Sequence, residues 1–416
     1  MNNPAHVLVA AEVGSAEDWP RVRGESPLLR RFRYRATDEE LGELRRRVMA
    51  TRFPDKETAH DQSQGPPLAT MKELARYWAH EYDWRKVEAR LAGLPQFLTE
   101  IDGLDIHFIH ARSRHANALP LIITHGWPGT VIEQLKILQP LIDPTAHGGD
   151  AADAFHVVLP SLPGYGFSGK PALSGWDPSR IGRAWATLMA RLGYDRYVAQ
   201  GGDWGGIVTD LMATQGHPGL KAIHTNMPGT VPADIDRALW AGAPPPQGLA
   251  EDELQACRQL AAAYKDVFYA FYMASRPQSW MALADSPVGL AAFLLEPRLF
   301  GELAVSAFSG RPEGLSRDDV LDCITFFWLT NSAVSAARLY RENSSNYFVP
   351  KGVSLPAAVS VFPQELYRAP RSWTERAYPR LVHYNRVEKG GHFAAWEQPE
   401  LLVRELRAGF RTLRSA

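Results

Sequence analysis

A chain of 416 residues, 45% hydrophobic and 22% charged, with a formal net charge of −1, has ordinary soluble globular composition. It is long enough for two or three domains or one large elaborated one. The near-zero charge argues against nucleic acid or an anionic membrane surface as partner. Cys257 and Cys323 are the two cysteines; they make no disulfide framework and sit in no metal-ligand spacing, which fits a reducing compartment.

The opening MNNPAHVLVAAEVGSAEDW has a short apolar part without basic flanks and contains Glu12. It reads neither as a signal peptide nor as a membrane span, and a cytoplasmic location is expected. Residues 1 to about 30 read as extended or poorly ordered. Thr37-Asp-Glu-Glu40 then forms a capping box, followed by Leu41, Leu44 and Val48 at helical spacing. A polar, irregular stretch over 50–68 precedes a second expected capping box, Thr70-Met-Lys-Glu73, with Met71, Leu74 and Trp78 on one face.

The period changes at residue 97. FLTEIDGLDIHFIHARS reads as strand, Asp102-Gly103 turn, strand, because Asp-Gly favours the positive φ of a tight hairpin. LPLIITHG and FHVVLPSLPGYGFSG read as buried strands. Asp177-Pro178 opens a helix with Ile181, Trp185, Leu188 and Leu192. DRYVAQ is a strand, GGIVTDLMATQ a helix and KAIHTNM a strand. Such alternation predicts a parallel sheet covered by helices. It breaks over 233–350, which is Pro-punctuated, aromatic and helix-like. It resumes with PAAVSVF, RLVHYNRV and a final helix from Pro399 to about Leu413. The expected organisation is an N-terminal extension leading into the first strands (1–115), a first half of the α/β core (116–232), a helical lid (233–350) and a second half of the core (351–416).

VAQGGDWGG, residues 198–206, joins a strand to a helix. Its glycines surround Asp203 in the pattern of a nucleophile elbow, where a tight turn lifts one side chain off the sheet beside a helix N-terminus. An Asp in that place attacks an sp³ carbon and leaves an alkyl ester, which water must then hydrolyse. The plainer alternative is a phosphate loop or a capping Asp, but a Lys and a GxGxxG spacing are both lacking. Hydrolysis requires a base. His392 in VEKGGHFAAWEQPE lies between the last strand and the last helix, whereas His224 and His383 fall inside predicted strands. Glu365 in SVFPQELYRAP, after the penultimate strand, is the best-placed acid to orient His392. Asp210 lies inside a helix and Asn226 offers no carboxylate. The oxyanion donors expected are the backbone N–H groups of Trp204 and, from THGWPGT, of Trp127. Pro128 cannot donate and suits a cis bond.

Taken in order, FRYRATDEELGELRRRV, YDWRKVEARL, LPQFLTEIDGLDIHFIHARS, HGWPGT, DAFHVVLPSLPGYGFSGKP, RLGYDRYVAQGGDWGG, DSPVGLAAF and GGHFAAWEQPE resemble the epoxide hydrolases of the α/β-hydrolase fold. The branch is the microsomal type with an extra N-terminal domain, and the resemblance runs from about residue 30 to 413. It implies an α/β-hydrolase fold with a mostly parallel, eight-stranded-type sheet. It also implies two lid tyrosines that bind the epoxide oxygen. The first is Tyr269, eight residues before Pro277, with Tyr272 as runner-up. The second is Tyr340 in RLYREN. Relatives often carry Asn where this chain has Ala92, and microsomal members carry a membrane anchor; this chain looks like the soluble bacterial relatives. Phe326, Phe327 and Trp328 suggest an apolar pocket. The expected reaction converts an apolar epoxide and water to a vicinal diol with no cofactor and no metal.

Two other functions share parts of this pattern. A haloalkane dehalogenase uses Asp, His and an acid but holds halide with indole or amide N–H groups. A ligand sensor on a hydrolase scaffold would have no need of a base. The sequence leaves open the natural epoxide, whether a xenobiotic met in detoxification, a lipid epoxide or a biosynthetic intermediate. Regio- and enantioselectivity and the oligomeric state, a homo-oligomer included, are likewise open.

Overall fold

The structure, a computed structural model, describes residues 28–310 and 314–414. The expectation for residues 1 to about 30 therefore lies almost wholly outside the described residues. Nine strands form one sheet: β1 (Arg30–Arg31), β2 (Gln96–Ile101), β3 (Leu104–Ala111), β4 (Leu119–Thr124), β5 (Phe155–Pro160), β6 (Tyr197–Gly201), β7 (Leu220–Thr225), β8 (Ala357–Val361) and β9 (Leu381–Arg386). Their order is β1-β2-β3-β5-β4-β6-β7-β8-β9. The first four are joined antiparallel and β5 through β9 run parallel. The short β1 adds a ninth strand to the eight expected by pairing Arg30 and Arg31 with Leu98 and Phe97.

The residues explain the strands. β5 and β6 are buried along their whole length, and their near-continuous apolar sequences suit strands covered on both faces. The β2–β3 hairpin turns at Asp102 and Gly103, with φ of 53° and 76°, the geometry that Asp-Gly favours.

The helices are α1 (Asp38–Met49), α2 (Leu68–His80), α3 (Arg85–Ala92), α4 (Leu135–Ile142), α5 (Pro178–Arg191), α6 (Trp204–Thr214), α7 (Ala233–Trp240), α8 (Glu251–Asp266), α9 (Phe268–Ser275), α10 (Pro287–Leu294), α11 (Arg298–Phe308), α12 (Arg317–Leu329), α13 (Ala333–Glu342), α14 (Arg371–Ala377), α15 (Ala394–Glu397) and α16 (Pro399–Gly409). Two groups, α5 with α6 and α4 with α16, pack on the sheet. Between β7 and β8 the described chain is helical only, from α7 to α13.

Thr37 caps α1 through a complete capping box with Glu40. The second expected box does not form. α2 starts at Leu68 with Pro67 as its cap residue and no side-chain cap bond, so Thr70 and Glu73 are already inside the helix. Pro67 sits at φ −59°, ψ 140°, which halts a helix entering from the N-terminal side and lets the next residue begin one. Asp177 caps α5 as expected, accepting from the Arg180 N–H at 2.7 Å.

Among the described residues no single helix is long and apolar enough to cross a membrane. α12 and α13 pass such a test only as a pair, and they meet at 87°.

Candidate active site

The carboxyl ends of β4, β6, β8 and β9 converge on one region, the edge at which open α/β sheets hold their ligands. After β6 the chain turns so sharply that Asp203 takes φ 51°, ψ −128°, a conformation that costs a non-glycine residue about 1–3 kcal/mol. The flanking glycines are required by close approach. A Cβ on Gly201 would lie 2.0 Å from the Gly205 oxygen, and one on Gly205 would lie 1.9 Å from the Thr124 oxygen. The turn thus presses the start of α6 onto β4 and raises Asp203 above the sheet.

The two oxygens of Asp203 are not equivalent. Oδ1 accepts the Trp127 N–H at 2.7 Å, while Oδ2 lies 3.6 Å from His392 Nε2. The Trp127–Pro128 peptide is cis. Trp204 opens α6, so its N–H belongs to the first turn, whose donors have no partner within the helix. His125, two residues before Trp127, ties loops together: its Nδ1 faces the Gly126 carbonyl at 3.1 Å and its Nε2 accepts the Leu162 N–H at 3.1 Å. Burial pushes its pKa down to about 4, so it stays neutral.

His392 follows β9 in a loop that pairs with the loop after β8 through a bridge between Gln364 and Gly391. That bridge brings Glu365 Oε1 to 2.6 Å from His392 Nδ1. The same oxygen accepts the Leu366 N–H at 2.8 Å. Both side chains are buried, at 7% and 1% exposure. Burial by itself pulls the His392 pKa down, but the Glu365 charge and the hydrogen bonds and charge of Asp203 outweigh it and hold the imidazole well above its ordinary value. The passed-over candidates lie elsewhere. Asp210 accepts from Tyr378, and His224 and His383 belong to a network with Ser360 and Glu405. Among the described residues no group of three His, Cys, Asp or Glu side chains is arranged to hold a metal ion.

Above Asp203, α9 and α13 bring the Tyr269 and Tyr340 rings within 6.2 Å of each other. Tyr340 stands edge-on to Trp204 at 4.7 Å. Burial, then neighbouring charge that includes Asp203, raises both phenols above their ordinary pKa. Tyr272 is 47% exposed and packs on Phe268 and Trp280 instead. Of the three aromatics expected to line a pocket, Phe327 does meet Trp127 at 5.2 Å. Phe326 packs on Trp84 and Phe167, and Trp328 lies under Arg47.

Three side chains near Asp203 escaped the sequence reading. Tyr165, in the loop after β5, packs on His125 and Phe327. Tyr347 lies 5.4 Å from Trp204, its phenol raised to about 12 by burial. Glu133 lines the same cavity as Asp203 and His392. Its one sequence signal is a lone charge just past HGWPG, in the apolar run TVIEQL.

With this geometry in view, the similarities to known proteins fall into place. Residues 29–134 match the model of the epoxide hydrolase N terminus, and residues 120–287 match that of the alpha/beta hydrolase fold. A Stigmatella aurantiaca protein described as "Putative epoxide hydrolase" is 48% identical over 92% of this chain and 85% of its own length. Epoxide hydrolase 1 of Oryctolagus cuniculus is 35% identical over 92% of this chain and 88% of its own. Among solved structures, juvenile hormone epoxide hydrolase from the silkworm Bombyx mori superposes with a TM-score of 0.82 at 28% identity, covering 93% of this chain and 95% of that one. The chain therefore belongs to the epoxide hydrolase family within the α/β-hydrolase superfamily.

Proposed function

We propose that this epoxide hydrolase opens an apolar, small-molecule epoxide through a covalent ester on Asp203 and releases a vicinal diol. The substrate sits between the sheet edge and the helical segment 233–350, which acts as the lid. Tyr269 and Tyr340 donate hydrogen bonds to the epoxide oxygen. Asp203 Oδ2 attacks a ring carbon, the ring C–O bond breaks, and the alkoxide takes a proton from a phenol. Water then adds to the ester carbonyl and gives a proton to His392 Nε2, while the Trp127 and Trp204 N–H groups hold the charge that develops on Oδ1. Collapse breaks the ester C–O bond, the departing oxygen takes the proton from His392, and the proton of the new carboxyl group returns to the phenolate, which releases the diol and restores the carboxylate.

The observation that carries this reading is the unequal setting of the Asp203 oxygens. One is bound to a backbone donor at 2.7 Å. The other is free to attack and faces the Glu365-oriented imidazole. The electrostatics fit the sequence of steps. Part of what raises the His392 pKa is the Asp203 charge, and alkylation removes that charge, so the imidazole holds a proton less tightly at the stage where it must be free to accept one. Nothing in this scheme calls on a metal or a cofactor.

The test is the intact mass of the His392→Gln variant mixed with styrene oxide. The expected result is an adduct of the epoxide's mass that is lost when Asp203→Asn is added. Diol formation by the wild type with no adduct on His392→Gln would sink the ester scheme. One observation favours a second reading: Trp127 Nε1 and Trp204 Nε1 are buried without partners, and indole N–H groups suit a halide. Halide release from a chloroalkane, without turnover of epoxides, would support dehalogenation instead.

A further inference from the structure

The surroundings of the Asp203–His392 pair are divided by chemistry. The phenols and indoles of Tyr269, Tyr340 and Trp204 pack together on one side. A small cavity of about 20 Å³ is lined by the polar side chains of Asp203, His392, Gln200, Asn226, Glu133 and Gln134, and by apolar ones such as Phe393 and Leu402. An apolar epoxide suits the first side. The second has room and hydrogen-bonding groups for a single water.

Glu133 is the least explained group in that cavity. It is 8% exposed. Its Oε1 accepts the Gln134 Nε2–H at 2.6 Å, but its Oε2 has no partner, nor has Gln134 Oε1. A buried polar atom left unpaired costs about 1–3 kcal/mol, and buried water is the usual remedy where several polar groups converge. The backbone is shaped around this carboxyl group, since a Cβ on Gly129 would fall 1.7 Å from Glu133 Oε2. Burial pushes its pKa up to about 8, against the pull of His392 and with a push from Asp203, so Glu133 feels both members of the pair.

We propose that Glu133 is a positioning residue that holds the ester-hydrolysing water in this cavity, beside His392. A water that attacks the Asp203 carbonyl carbon gives one hydrogen to His392 Nε2. Its other hydrogen requires an acceptor, and a Glu133 oxygen supplies one. The new bond joins the water oxygen to Cγ, the carbonyl electrons pass to Oδ1, and the proton goes to His392. Glu133 accepts a hydrogen bond and neither gains nor loses a proton. This inference rests on the ester scheme proposed above.

The test follows the two half-reactions separately, by rapid quench and intact mass with excess styrene oxide. Glu133→Leu keeps the bulk and removes both oxygens; Glu133→Gln restores an acceptor. For Glu133→Leu the expected result is ester formation within about two-fold of wild type and ester breakdown at least about ten-fold slower, so that ester accumulates. For Glu133→Gln, breakdown should recover to within about three-fold of wild type. Normal ester formation also reports that the variant has folded. Unchanged breakdown in Glu133→Leu, equal slowing of both half-reactions, or no recovery with Gln would each overturn the proposal while leaving the ester scheme standing. Absence of ester even on His392→Gln would overturn both.

Discussion

The glycines around Asp203 and the glycine in α1 have the same side chain and opposite reasons for it. A methyl at Gly205 would meet the Thr124 backbone oxygen at 1.9 Å, whereas one at Gly42, in the exposed face of α1, would meet nothing within 4 Å. Gly205→Ala is expected to lose more than about 3 kcal/mol of stability or to fail to accumulate. Gly42→Ala is expected to gain about 0.5–1 kcal/mol; urea denaturation of both variants checks the contrast. The chain itself marks Asp203, His392 and Glu365, because each stands where an apolar strand gives way to a short loop. Glu133 and Tyr165 stand in loops too, but nothing local says that those loops fold back over Asp203. Tyr269 and Tyr272 are one helical turn apart in the same aromatic run, and only the packing of α9 on α13 tells the inward ring from the exposed one.

The N-terminal helices are joined to the helical segment by polar side chains. The Tyr82 hydroxyl donates to Asp322 Oδ1 at 2.8 Å, and Arg90 pairs with the other Asp322 oxygen. Nearby, Tyr77 donates to Asp318 at 2.8 Å and Arg317 pairs with Glu73 at 2.9 Å. Burial raises the Asp322 carboxyl to about 6 despite the pull of Arg90, so its remaining donors matter. Tyr82→Phe removes one and should cost about 1–2 kcal/mol, read as a lower thermal midpoint with ester formation on Asp203 intact. Loss of stability below about 0.3 kcal/mol would mean that water replaces the hydroxyl at no cost. Helices and strands were legible one by one because their periods are local. The box at Thr37 was legible for the same reason, and the one at Thr70 misled because the spacing of Ser/Thr and Glu recurs inside helices. Which helices meet was not legible: Tyr82 and Asp322 are far apart in the chain, and neither carries a mark of the other.

Across the whole molecule, a sheet whose inner parallel strands are buried on both faces leaves some carboxyl groups deep inside. Asp210, in α6, accepts from the Tyr378 hydroxyl at 3.1 and 3.0 Å. Burial raises its pKa from 3.8 to about 7, with Lys351 opposing. Between those values the folded chain keeps a proton that the unfolded chain has lost, so stability is greatest at the acid end of that window and falls as pH rises through it. Asp210→Asn removes this slope. Its stability relative to wild type should rise by roughly 2–4 kcal/mol from pH 4 to pH 7.5, measured by urea titration at each pH; a constant difference would mean that Lys351 keeps Asp210 ionised. The parallel alternation announced this sheet in advance, but the ninth strand is two residues long and had no pattern to show. The order of the site along the chain has a further consequence, for synthesis. Asp203, Tyr269 and Tyr340 precede β8, whereas Glu365 and His392 follow it. On the scheme proposed above, a ribosome therefore makes the attacking group and the groups that bind the epoxide oxygen well before it makes the base. In that scheme a chain stopped short of residue 392 that still folded around Asp203 would take up one epoxide and keep it, and only the finished protein would turn over.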